Sequence, residues 1–204
     1  MDENHILDVK GVHAPKTQLG FTKFYTLLEA AETLFTKHSF YDVSVSDICK
    51  EAHTAVGTFY IYFDGKTDIY RYLLARYKLQ IRTTLAQAIR GCNTRLEKER
   101  EGIKAFIRYS VFNPSVYNII WGSLAVDKQM FEEYYAGFAE SYARALEDDP
   151  SELSSRDTST LAYMLMGMTN FLGLKAQFEN MDEASIERMI DETIVPVLET
   201  GMFR

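Results

Sequence analysis

Few residues in this chain have the type and spacing to do chemistry. Cys49 and His53 lie four positions apart, so one helix face can carry both, which is half of a metal site. No second Cys/His pair accompanies them, and His5, His13 and His38 are scattered. A buried thiol and a turn histidine are therefore the expected roles, and neither a metal nor a cofactor is called for. Gly65-Lys66 ends like a phosphate loop, but position 60 is tyrosine where such a loop needs glycine. Neither H-E-x-x-H nor G-x-S-x-G occurs, so nothing here argues for an enzyme. Binding chemistry is better supplied. Lys66 is expected at a helix N-terminus, where free backbone N–H groups also favour an anion. Beyond it, Phe106, Tyr109, Tyr117, Trp121, Tyr134, Phe138, Tyr142, Met164, Met168 and Phe171 sit on helices that should converge. They can line an apolar pocket for a flat or lipophilic ligand, with tyrosine hydroxyls, the Trp121 N–H and Asn170 as its polar points. A filled core is the competing reading for each of them.

The elements that must position these residues are all helical by pattern. Ser44 and Asp47 have the spacing of a capping box opening a two-turn helix with Val45, Ile48 and Cys49 on one face. A turn follows at His53, a residue type that tolerates positive φ. A second short helix takes 55–62, with Phe59 and Phe63 inward. Two helices this short joined by so tight a turn form a helix-turn-helix. An amphipathic helix over 22–38 packs behind it, and a long helix over 66–90 follows, ended by Gly91. Thr94 and Glu97 cap a helix to 112, Asn113-Pro114 opens the next, and Asp127 caps another that stops at Asp149-Pro150. Helix 157–179 is apolar on more than one face, so it needs a partner besides its own core, and a second copy of the chain can supply it. A last helix over 182–200 should be kinked by Pro196 or have its regular part ended there. The expected architecture is all-α, about nine helices: a flexible arm (1–20), a three-helix head (21–66) and a helical body (67–204).

The head resembles the TetR family of transcriptional repressors. The residues that carry the likeness are Leu27-Leu28-Glu29-Ala30-Ala31, Leu34-Phe35, Val45, Ile48, Ala52, Gly57-Thr58, Tyr60, Tyr62-Phe63 and Lys66. Ser39, Cys49, His53, Ala55 and Val56 depart from that pattern. The resemblance implies a major-groove helix with Ser44, Ser46, Thr54, Ala55, Gly57, Thr58, Tyr60, Tyr62 and Lys66 as DNA contacts. Among these, Tyr60 and Lys66 match phosphate-binding positions. It also implies three partners: a double-stranded DNA operator, a small-molecule effector that releases it, and a homodimer mate held through 157–179 and 182–200. From Thr54 to Tyr62 there is no Arg, Lys, Asn or Gln, the residues that make bidentate contacts to purine edges, so direct readout should be thin and biased toward A·T steps. Ala55, Val56 and the threonine methyls can touch thymine methyl groups, with register set by phosphate contacts and DNA shape.

Bulk properties set limits on this reading. The 204 residues are 47% hydrophobic and 25% charged, ordinary for a globular chain. Charges interrupt every apolar run, so no membrane partner is expected. Two cysteines cannot make a disulfide framework, and a reducing cytoplasm is the natural home. Net charge is −7, and in the first 66 residues six lysines face nine carboxylates. That balance keeps an alternative in view: a helical small-molecule-binding or scaffold protein that has lost specific DNA binding.

Overall fold

The computed structural model describes residues 7–148, 153 and 155–203. Asp149-Pro150, most of the 150–156 loop and the first six residues, His5 included, lie outside them. The described residues are helical, joined only by two isolated bridges, Val12 with Phe63 and Leu153 with Phe203. The order is α1 (Gln18–Lys37), a 3-10 turn (Phe40–Asp42), α2 (Val45–Glu51), α3 (Val56–Tyr62), α4 (Lys66–Ala88), α5 (Arg95–Phe112), α6 (Ser115–Val126), α7 (Lys128–Glu147), α8 (Thr158–Phe178), α9 (Glu183–Met189), a π-helical turn (Ile190–Ile194) and α10 (Val195–Gly201).

Local chemistry explains the boundaries. The Ser44 hydroxyl accepts from the Asp47 N–H while the Asp47 carboxylate accepts from the Ser44 N–H, closing a capping box. Thr94 and Glu97 do the same for α5. His53 turns the chain at φ 49°, and Gly91 leaves α4 at φ 88°. Asp157 and Asp182 cap α8 and α9.

The chain divides into two compact units. The first holds the residues up to Leu79 together with Ser115–Phe131, so α6 packs with the head. Its core is aromatic: Phe24 of α1 stacks on Phe63 at 4.9 Å and meets Tyr62 and Tyr72 edge-on. Phe24, Phe59 and Phe63 are fully buried. Three long-range bonds fix α6 to this unit. Tyr70 donates its hydroxyl to the Ile119 carbonyl at 2.7 Å, Tyr41 donates to Ala125 at 2.7 Å, and Asn118 donates to Thr36 at 3.0 Å. At Gly122 a Cβ would come within 2.7 Å of the Tyr70 hydroxyl, so the close approach requires glycine.

The N-terminal segment, expected to be loose, is held to the head from its first described residues. The His13 N–H donates to the Tyr62 carbonyl at 2.8 Å, and the Asp64 N–H donates to Gly11 at 2.9 Å. Gly11 stands at φ 75° against the Asp68 carboxylate, where a side chain would collide. The end of α3 is thus strapped by residues 11–13.

The second unit comprises Gln80–Pro114 and the chain from Glu132 on. Ile103 and Ile107 of α5 pack with Leu161 and Leu165 of α8 and with Ile186, Ile190, Ile194 and Leu198. The last four recur at every fourth position. On a plain α-helix such a repeat drifts about 40° per step. The π-helical turn, whose Val195 N–H bonds back to Ile190, holds more residues per turn and removes the drift. Pro196 begins the next helix rather than kinking one in mid-course. On α8, Met164, Phe171 and Phe178 recur at seven-residue steps on the solvent side and are 52%, 67% and 75% exposed.

Candidate nucleic-acid interface and ligand cavity

The helix-turn-helix presents most of its expected contact residues. Ser44, Ser46, Ala55, Gly57 and Tyr60 are exposed, and Thr54 and Thr58 are half-buried. Phe59 and Phe63 anchor α3 from beneath, as their spacing requires. Asp47 is held below the usual carboxylate range by hydrogen bonds from the Ser44 hydroxyl and then its N–H, so the cap is ionised at neutral pH. Cys49 is buried in the head core, which pushes its thiol up and keeps it unreactive, while His53 points to solvent.

Two expected contacts are placed otherwise. The Tyr62 ring lies edge-on against Phe24 and is only 7% exposed. Lys66 turns back: its ammonium donates to the Phe40 and Val43 carbonyls, both at 2.6 Å, and lies 4.1 Å above the Phe40 ring. Burial lowers its pKa. Its charge closes the end of the 3-10 turn that leads into α2, so it acts as a tether within the head. The physical reason is proximity, since those carbonyls have no intrahelical partners and a cation satisfies both.

The second unit contains a cavity of about 270 Å³. Ile81 and Leu85 from α4, Ile89 just past its end, Ile103 and Phe106 from α5, and Tyr134, Phe138 and Tyr142 from α7 form its apolar wall, with Met166, Thr169 and Asn170 from α8. Of the aromatic and methionine residues expected at a ligand, Phe106, Tyr134, Phe138 and Tyr142 line it. Tyr109 instead donates to Gln80 at 2.8 Å. Tyr117 and Trp121 meet edge-on on α6, in the first unit. Met168 packs on the body core, and Met164 and Phe171 face outward.

The cavity also carries a buried ionic cluster that the sequence reading missed. Arg95 and Glu99 are 5% and 3% exposed. Arg95 donates to the Glu99 carboxylate and, at 2.9 Å, to the Ala145 carbonyl; Tyr142 donates its hydroxyl to the other Glu99 oxygen. Burial, and then the Glu99 charge, pushes the Tyr142 hydroxyl well above its ordinary range, so it stays a donor. A sequence signal existed: Arg95 and Glu99 share the i, i+4 face of Ile103. At the cavity's other polar point Arg82 donates to the Gly137 carbonyl and the Ser141 hydroxyl, both at 2.8 Å, and lies over the Phe138 ring. An apolar wall with fixed donors and one carboxylate orients a small amphiphilic ligand.

Comparison with known proteins agrees with this geometry. Residues 27–73 match the family model described as bacterial regulatory proteins, tetR family. No curated protein matches the sequence. Among solved structures, a TetR family transcriptional regulator from Chloroflexus aurantiacus is 23% identical, with 92% of this chain and 98% of that one covered and a TM-score of 0.70. A TetR-family regulator from Syntrophomonas wolfei is 21% identical over 88% and 95%, with a TM-score of 0.73. The regulator FadR from Bacillus subtilis, solved in complex with stearoyl-CoA, is 19% identical over 87% and 98%, with a TM-score of 0.71. These likenesses establish a shared fold. The match over residues 27–73 falls on the capped helix-turn-helix, so this head is that of the tetR family of bacterial regulatory proteins.

Proposed function

We propose that this chain is a ligand-responsive transcriptional regulator: a repressor that binds duplex operator DNA as a homodimer and is released by a small lipophilic or aromatic effector. The observation that carries the reading is the matched head itself, with the capping box closed and Ser44, Ser46, Ala55, Gly57 and Tyr60 facing solvent. The cavity in the second unit is the effector site. Its aliphatic wall of Ile81, Leu85, Ile89 and Ile103 favours a hydrocarbon-bearing ligand, in keeping with the acyl-CoA held by the B. subtilis FadR. The exposed Met164–Phe171–Phe178 stripe of α8, with Val197 of α10, is the surface on which a second copy packs. Effector binding shifts the equilibrium between a DNA-competent and a DNA-incompetent state by its differential affinity for the two.

Gel mobility shift with the DNA flanking the chain's own gene tests this. Salt-sensitive, sequence-selective binding that fatty acyl or aromatic amphiphiles reverse is the expected result. A second reading, a helical ligand-binding protein without specific DNA affinity, is favoured by the six lysines against nine carboxylates in the first 66 residues and by the inward turn of Lys66. Ligand binding with no duplex binding at low salt selects it.

A further inference from the structure

The outer face of α3 is apolar. Phe59 and Tyr62 hold the helix to the head, yet Val56, Tyr60 and Ile61 are 43%, 53% and 61% exposed. At 100° per residue, Gly57 and Ile61 point most directly away from Phe59, with Tyr60 on one flank and Thr58 on the other. A Cβ at Gly57 would meet nothing within 4 Å, so the helix is open to close approach along this line. The seven residues of α3 thus offer three apolar groups to solvent and no side-chain amide, guanidinium or ammonium. Ile61 did not figure among the expected contacts.

Such a face needs a partner with apolar groups at matching depth, and this one lies within residues 27–73, on the DNA-binding head. The major groove of DNA presents one apolar group, the 5-methyl of thymine. We propose that this chain selects its operator chiefly by thymine methyl groups, with Ile61 as the side chain that reads them. Gly57 supplies the clearance that lets α3 descend far enough. The Tyr60 hydroxyl, beside them on the exposed side, fixes register on a phosphate. The inference rests on the DNA-binding reading and deepens it by naming the groups recognised.

The test replaces thymine by deoxyuridine, which removes the methyl and nothing else. A bound duplex is first isolated by in vitro selection from a random pool at low salt. Single deoxyuridine substitutions are then scanned across it with the full chain. About a fourfold loss of affinity is expected at each contacted thymine. Because Ile61 is exposed, Ile61→Ala should keep the melting temperature and lose affinity on the thymine duplex. On the deoxyuridine duplex the same variant should lose nothing further, since the two changes remove one contact. Uniform indifference to deoxyuridine on a duplex that is still bound, or contacts confined to guanine, overturns the inference while leaving DNA binding intact. Failure to bind any duplex at low salt removes the DNA-binding reading and this inference with it.

Discussion

In the first unit the aromatic rings close on one another; in the second, where Tyr134 and Phe138 also touch at 5.2 Å, they flank a space. Phe24, Phe59 and Phe63 are each fully buried and lie ring to ring, so the head has one packed arrangement. Phe106, Tyr134, Phe138 and Tyr142 are of similar size but face a cavity that also contains a charged pair. The difference is one of what the polar groups do. In the head, the Lys66 and Tyr70 side chains bond to backbone carbonyls and fix geometry. In the body, Glu99, Arg95 and Tyr142 bond to one another beside an opening, where a ligand can compete for them. On the proposed function, a rigid reader and an adaptable receptor call for these opposite uses of the same residue types.

The sharpest way to break the contrast is to delete one ring from each unit. Phe59→Ala should cost the head about 3–5 kcal/mol in urea unfolding, because its neighbours cannot close on the hole. Phe138→Ala removes a ring already partly open to the cavity and should cost well under half of that, while effector binding weakens. Equal costs would mean that the cavity is a packed core in function. Next in size is Lys66→Met. If the ammonium is a tether, stability falls by about 1.5–3 kcal/mol and the salt slope of DNA binding is unchanged. A shallower slope with full stability would return Lys66 to the phosphate backbone. Gly57→Ala sharpens the picture inside the head. It should stabilise α3 by about 0.5–1 kcal/mol and weaken DNA binding, separating packing from recognition.

The smallest effect is in acid. Asp47 caps the head, while Glu97, Asp157 and Asp182 cap helices of the body, and hydrogen bonds from cap hydroxyls or backbone N–H groups hold all four below their ordinary values of 3.8 for aspartate and 4.5 for glutamate. A depressed native pKa gives stability that is present above the ordinary value and is lost as pH falls through the native one. With three such caps against one, body helicity should therefore lose more than head helicity as pH drops below about 4, followed by circular dichroism and by hydrogen exchange in each unit.

What the sequence disclosed follows the range of the interaction concerned. The two capping boxes and the positive φ of His53 depend on neighbours within four residues, and the inward side of Phe59 and Phe63 shows in their i, i+4 spacing, so each was legible. Lys66 was not, because its acceptors at Phe40 and Val43 lie 26 and 23 positions away and only folding brings them under it. Arg95 and Glu99 stand at i, i+4 on α5, and their burial is decided by α7. The membership of α6 in the head likewise rests on Tyr41 and Tyr70 reaching carbonyls 84 and 49 residues further on.

The wide turn at Ile190–Ile194 fixes how the chain ends. It makes the final segment sensitive to residue count rather than to residue kind. Conservative exchanges of Ile190 or Ile194 leave the phase of everything downstream intact. Inserting a further residue there swings Leu198 and Phe203 by about 100°, out of the interior and away from the bridge to Leu153. Homologous chains that keep this terminus should therefore vary in composition across these five positions but not in their number.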